Sequence, residues 1–293
     1  MAGDFFCYGQ SMQKLLTYII SKGLGLYINI LSFIYPKKAS WLAYKFFSHP
    51  RDGKLVKEAL PDILKEADAE MITHNDFLFQ TYTWKGNNKR ILLMHGWESN
   101  ASRWEQLIGY LKKSGSTIIA IDAPAHGLSS GTEFSMPRYA EFVDVVVRNL
   151  KPDYLVGHSL GGATALYFQS HYTNEYIKKL VVLGAPCELN TLLKNYAGML
   201  SLNSNVFKLL EKHFFEHYKI KTHEFSGSVF ASKIKIKGLI AHDVDDTVVS
   251  FKEGQKIAAA WPDAKFITTK GLGHSMHGDA LYDSVYDFLF KAE

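Results

Sequence analysis

Cysteine is nearly missing from this 293-residue chain: Cys7 and Cys187 are too few for a disulfide framework. That suits a reducing compartment, and a cytoplasmic location, with or without membrane association, is the expectation. A dominant charge is lacking too. The net charge is only +4, and no basic run is interleaved with aromatics, so nucleic acid is not an expected partner. There is no internal repeat and no low-complexity tract, which excludes a repeat architecture. A secretory leader is not expected either. The basic n-region is missing, Lys22 interrupts the apolar run, and no small-residue cleavage site follows. What is present is 47% hydrophobic and 21% charged residues, the make-up of a globular chain long enough for one large α/β domain with additions.

The N-terminal region is unusual. From Lys14 to Tyr35 it is strongly apolar and ends at Pro36. Lys14, Thr17, Ser21, Gly25, Asn29 and Ser32 recur every three or four positions and line one narrow stripe of a helix; the rest of the circumference is Leu, Ile, Tyr and Phe. A membrane span needs about 20 apolar residues, and Lys22 and Asn29 would be costly inside lipid. Three readings follow, in order of preference. The helix packs on the body of the protein, or lies in a membrane interface with Lys37 and Lys38 beside headgroups, or spans.

Further on, Ser40–Phe47 reads as a helix and Lys54–Leu64 as helical material broken at Pro61. Glu70–Trp84 supplies two strands around Asn75-Asp76, and Lys85-Gly86-Asn87-Asn88 reads as a hairpin turn. Then come short, continuously apolar runs separated by helical periods, at 91–94, 117–121, 154–156, 180–183, 236–240 and 265–268. That pattern predicts an α/β fold with a mostly parallel sheet flanked by helices. The expected helices are 102–113, 136–150, 161–171, 251–260 and 280–290. Residues 187–232 are too long for a plain connection and read as an inserted helical cap. Residues 1–65 read as an N-terminal helical extension and 66–293 as the α/β domain. The apolar residues of the insertion, Leu193, Leu200 and Phe214 among them, either pack it down or line the apolar wall of a cleft.

Chemistry centres on Gly157-His158-Ser159-Leu160-Gly161, which follows the run 154–156 and precedes a helix. GxSxG at a strand-to-helix turn is the nucleophile-elbow pattern. The turn is so tight that side chains two residues either side of the serine would collide. A serine hydroxyl needs a base, an orienting acid and oxyanion donors. The base is His274, just past the last strand, with His277 the runner-up. The acid lies among Asp243, Asp245 and Asp246, with Glu188 a more distant alternative. A calcium loop is excluded there, because its sixth and twelfth positions hold Val248 and Gly254. After the run 91–94, His95-Gly96-Trp97 offers the amide of Trp97, which with that of Leu160 would form the oxyanion hole. His213-x-x-Glu216-His217 matches a zinc-peptidase pattern but has no third ligand, so no metal and no cofactor is expected.

In this order the motifs resemble the α/β-hydrolase-fold serine hydrolases, from about Glu70 onward. Asp122-Ala123-Pro124-Ala125-His126-Gly127-Leu128-Ser129 resembles their D-x-x-G-H-G-x-S loop, with Ala125 in place of the glycine. His242–Val249 resembles H-G-x-x-D-x-x-V, which places Asp243 on the glycine and Asp246 on the catalytic acid. The resemblance implies a Ser159–His274–Asp246 triad that hydrolyses small or medium uncharged carboxylic esters. Thioesters, amides, acyl transfer and a non-catalytic ligand-binding role remain open on the same scaffold. Which residues bind substrate is not legible.

Overall fold

The computed structural model describes the backbone from Ala2 to Lys291 and side chains from Leu15 to Lys291; Cys7 and Lys14 lie outside the described side chains. The chain begins with α1 (Ala2–Ile34), α2 (Pro36–Ser48) and α3 (Asp62–Lys65). It continues through β1 (Asp68–His74), β2 (Phe77–Trp84), β3 (Asn87–Met94), α4 (Glu105–Leu111), β4 (Ser116–Ile121), α5 (Met136–Leu150), β5 (Tyr154–His158), α6 (Leu160–His171) and β6 (Lys179–Leu183). Then follow α7 (Leu189–Leu200), α8 (Ser204–Tyr218), α9 (Gly227–Ala231), β7 (Lys237–Asp243), α10 (Phe251–Ala260), β8 (Ala264–Thr269) and α11 (Asp279–Phe290). Two units result. One joins the N-terminal residues through Ser48 to Glu188–Phe225; the other holds His49–Cys187 and the chain from Ser226 on. Residues 49–65, grouped by sequence with the extension, and 226–232, grouped with the insertion, belong to the second unit.

In that second unit the sheet has eight strands in the order β1-β2-β4-β3-β5-β6-β7-β8. β1 and β2 run antiparallel; the six from β4 to β8 are parallel. The central strands are buried on both faces, which is why they read as unbroken apolar runs. α5 shows how a covering helix is specified. Ser135 caps its first turn by accepting the N–H of Arg138, Pro137 sits in that turn, and Lys151 closes it in the left-handed conformation. It buries Tyr139, Phe142, Val143, Val146 and Val147, with Phe142 stacked on Phe79 of β2 at 4.4 Å.

One local expectation is corrected. Lys85–Asn88 is not a hairpin turn, because β4 lies between β2 and β3. The chain instead crosses the start of β4. Gly86 N–H donates to Thr117 Oγ1, Asn87 N–H donates to Gly115 O, and a Cβ on Gly86 would stand 2.3 Å from that carbonyl. Lys54–Leu64 is helical in two short pieces separated at Pro61, as expected, though its first three residues are not. A short 3-10 turn at Lys57–Ala59 forms before Pro61, and α3 starts after it. Upstream, the backbone is drawn to the loop at 127: Leu55 N–H donates to Gly127 O, and Gly127 N–H donates to Gly53 O.

The helical unit answers how α1 packs. The chain re-enters helix at Pro36 itself, where a missing N–H costs nothing. α1 lies on α7 and α8, and it turns its polar stripe inward. Gly25, Ile28, Leu31 and Ser32 are buried. Lys22 Nζ donates to the carbonyls of Gly198 and Met199 and to Ser201 Oγ, placing a cation on the carbonyls that end α7. Asn29 donates to Ser201 O and accepts from Asn203 N–H. Leu193, Leu200, Leu210 and Phe214 are buried, so they serve packing. His213 stacks on Tyr44 and on His217, each at 4.0 Å between centroids.

Gly25 sets the closeness of this contact. A Cβ there would lie 1.7 Å from the carbonyl oxygen of Leu200, a backbone atom that cannot swing away. Gly25→Ala is therefore expected to lift α1 from α7 at a cost of about 1–3 kcal/mol. Amide exchange in residues 198–203 should accelerate while that of β5 stays unchanged; equal protection in the variant would refute the contact.

Candidate active site

The elbow is built by steric exclusion. β5 ends at His158, α6 starts at Leu160, and Ser159 between them takes φ 53° and ψ −125°. That is a conformation L-residues rarely hold and one often stored at functional sites. A Cβ on Gly157 would come within 2.6 Å of Gly162 Cα, and one on Gly161 within 2.2 Å of Met94 O. Ser159 N–H donates to Leu183 O. A serine before a helix ordinarily caps it with its hydroxyl. Ser159 makes no such bond, and its Oγ instead stands 3.0 Å from His274 Nε2.

His274 follows β8 in a short turn. Its Nδ1 lies 2.8 Å from Asp246 Oδ2, and its side chain keeps 20% of its surface exposed while the carboxylate has none. The other Asp246 oxygen accepts the N–H groups of Val248 and Val249, both at 2.8 Å. The three aspartates thus separate. Asp245 is exposed. Asp243 accepts from Thr269 Oγ1, Leu272 N–H and Asp245 N–H, which ties the loop after β7 to the one carrying His274. Burial pushes its carboxyl up, but those bonds together hold it below its ordinary pKa. Glu188 stands one residue before α7, in the helical unit. His277 engages the Tyr282 hydroxyl through Nδ1.

Leu160 is the first residue of α6, so its amide is among the N-terminal donors that a helix leaves unpaired. Trp97 is reached through Gly96, whose Cβ would lie 2.7 Å from Ser159 Cβ and 3.2 Å from its Oγ. Only glycine lets the Gly96–Trp97 link come this close to the serine.

Around this core stands a buried polar layer that the sequence did not assign. His158 Nε2 donates to the backbone carbonyl of His274 at 2.7 Å, and burial, then the Arg103 charge, keeps its ring well below the ordinary histidine pKa. Arg103 donates to Ser275 O, one residue further on. His95 donates from Nδ1 to Gly96 O and accepts Ala123 N–H at Nε2. His126 likewise donates to Pro124 O and accepts Glu98 N–H, and burial lowers it to about 4. Both rings are neutral spacers between loops. Asp122 accepts from Ala101 N–H, Leu128 N–H and the Tyr82 hydroxyl, while burial raises it to about 6. Ala125, where the glycine of the loop motif would stand, has φ 65°, so the backbone keeps the glycine conformation without the glycine. For Asp122 and His126 the signal was the loop motif, which carries no hint of partners; for Arg103 the sequence carried none.

Residues 89–265 match the family model described as alpha/beta hydrolase fold. Over 236 residues the chain is 25% identical to the bifunctional esterase/perhydrolase DCH of Acinetobacter calcoaceticus, covering 64% of this chain and 85% of that one. It is also 25% identical over 130 residues to the monoacylglycerol lipase ABHD6 of Bos taurus, where the match spans 41% of this chain and 38% of the relative. Among solved structures, Est1E of Butyrivibrio proteoclasticus, with ferulic acid bound, superimposes with a TM-score of 0.61 at 17% identity, over 76% of this chain and 98% of that one. At that identity the likeness is one of fold.

Proposed function

We propose that this chain, which belongs to the alpha/beta hydrolase fold family, is a serine hydrolase that cleaves carboxylic esters of small or medium uncharged substrates through an acyl-enzyme on Ser159. The observation that carries the reading is the unbroken line from Asp246 through His274 to a serine hydroxyl that its own helix does not use. Ser159 Oγ attacks the ester carbonyl carbon while His274 Nε2 takes its proton. The oxyanion is held by the amides of Trp97 and Leu160. His274 then returns the proton to the departing alkoxide oxygen, and the alcohol leaves. Water enters and attacks the acyl carbon while His274 takes one of its protons; the acyl–Ser159 bond then breaks, His274 returns that proton to Ser159 Oγ, and the carboxylic acid leaves. Asp246 holds the imidazole with its proton on Nδ1 and stabilises the imidazolium. The esterase and lipase names of the relatives agree with an ester as the bond attacked.

A panel of p-nitrophenyl esters from acetate to laurate, with matched thioesters and anilides, tests the substrate class. Each buried methylene contributes at most about 0.8 kcal/mol, or about fourfold in kcat/KM. The ester profile is expected to climb over short and medium chains and then level off. A flat profile would overturn the expected medium-chain preference, and faster anilide turnover would overturn the ester assignment.

A further inference from the structure

α1 is turned inside out relative to a core helix. Beyond Ser21 its inner side carries Lys22, Gly25, Asn29 and Ser32 against α7 and α8, as described. Its outer side carries Leu26, Tyr27, Ile30, Phe33 and Ile34, which are 48 to 74% exposed. These sit at spacings of three and four, so they form one continuous face. Before Ser21, Leu15 to Ile20 are exposed all round. Such an apolar surface is far larger than a folded chain leaves to water without use.

Charge says what covers it. From Phe5 to Arg51 the sequence has no Asp or Glu but five lysines and Arg51. Lys37, Lys38 and Lys45 are exposed where the apolar face ends, next to exposed Tyr35 and Trp41, and Lys45 Nζ lies 5.0 Å over the Trp41 ring. Aromatic rings and lysine ammoniums at the rim of an apolar face match the boundary between acyl chains and anionic headgroups. A second copy would instead bring the same cations to the same site. Leu15–Ile34 has the length and apolarity of a span, with a mean hydropathy of 1.3. Yet α7 and α8 cover its inner side and carry exposed Lys194, Lys208, Lys212 and Glu216, which a span would draw toward hydrocarbon. Lying in the interface costs none of this.

We infer that the helical unit docks on an anionic lipid bilayer through the outer face of α1, with Lys37, Lys38 and Lys45 on the headgroups. Three forms of the full chain test this by flotation with phosphatidylcholine vesicles, with and without phosphatidylserine. These are the parent, Ile30→Glu/Phe33→Glu/Ile34→Glu, and Lys37→Gln/Lys38→Gln/Lys45→Gln. The altered residues are all exposed, and circular dichroism melting reads the fold of each variant. The parent is expected to float, more with phosphatidylserine and less as salt rises. The glutamate variant should stay at the bottom. The glutamine variant should lose affinity for anionic vesicles about fivefold per lysine, about a hundredfold in all, and so lose its preference for them. If the parent fails to float with either vesicle, or floats no better than the glutamate variant, the inference falls. A parent that is dimeric by light scattering and does not float would assign the face to a second copy. Should the glutamate variant fail to fold, the parent's flotation and the glutamine variant's lost lipid preference still decide.

Discussion

Replacing Ser159 with alanine is expected to abolish labelling by a fluorophosphonate probe and to lower kcat for ester turnover by about a millionfold, the scale on which such a nucleophile acts. The fold should not notice. The hydroxyl lies against His274 and does not cap α6, while the backbone bonds of residue 159, to Leu183 O and from Ala163 N–H, are independent of its side chain. Alanine keeps the same β-carbon at φ 53°, so backbone strain is unchanged. The melting temperature should therefore match the parent's. A folded Ser159→Ala protein that still takes the label would sink the whole catalytic assignment.

The second large effect is at Asp246. Its Oδ1 is occupied by the N–H groups of Val248 and Val249. In Asp246→Asn the amide oxygen is held by those donors, which leaves the NH2 group facing His274 Nδ1. Two donors cannot share that contact, so the imidazole must move its proton to Nε2, the atom that has to accept from Ser159. The expected loss in kcat is up to about 10⁴-fold. Asp245→Asn, at an exposed side chain, should change little. Parallel kcat measurements on Asp246→Asn, Asp245→Asn and Glu188→Gln decide the matter; an equal or greater loss at either of the other two would refute Asp246 as the acid.

The sheet is legible in the sequence because a strand buried on both faces must be apolar at every position, as at Leu92, Leu93, Val181 and Val182. The elbow is legible because its glycines are demanded by backbone contacts, and such contacts leave few residue choices. Strand order is another matter. Lys85–Asn88 has the composition of a hairpin turn, and nothing local says that β4 will enter between its two strands. The choice among Asp243, Asp245 and Asp246 was equally invisible to composition. Asp243 ends β7 and the other two follow it; the likeness of His242–Val249 to the family signature points to Asp246, whereas the loop anchoring by Asp243 and the exposure of Asp245 come only from the geometry there. The stripe on α1 was visible, but its direction was not. Periodicity reports that two faces differ, and which one turns inward depends on partners more than 170 residues away.

That separation has a consequence in time. Lys22, Asn29 and Ser32 bond to residues 172 to 179 positions further along. At about 5–20 residues per second, a ribosome finishes α1 roughly 10–35 s before it makes the residues that α1 will grip. In that interval β1 to β6 and the elbow emerge, and of the helices it finally packs on, α1 has only α2 beside it. The first helix made is thus among the last to be seated, and the helical unit closes only when residue 225 has left the tunnel.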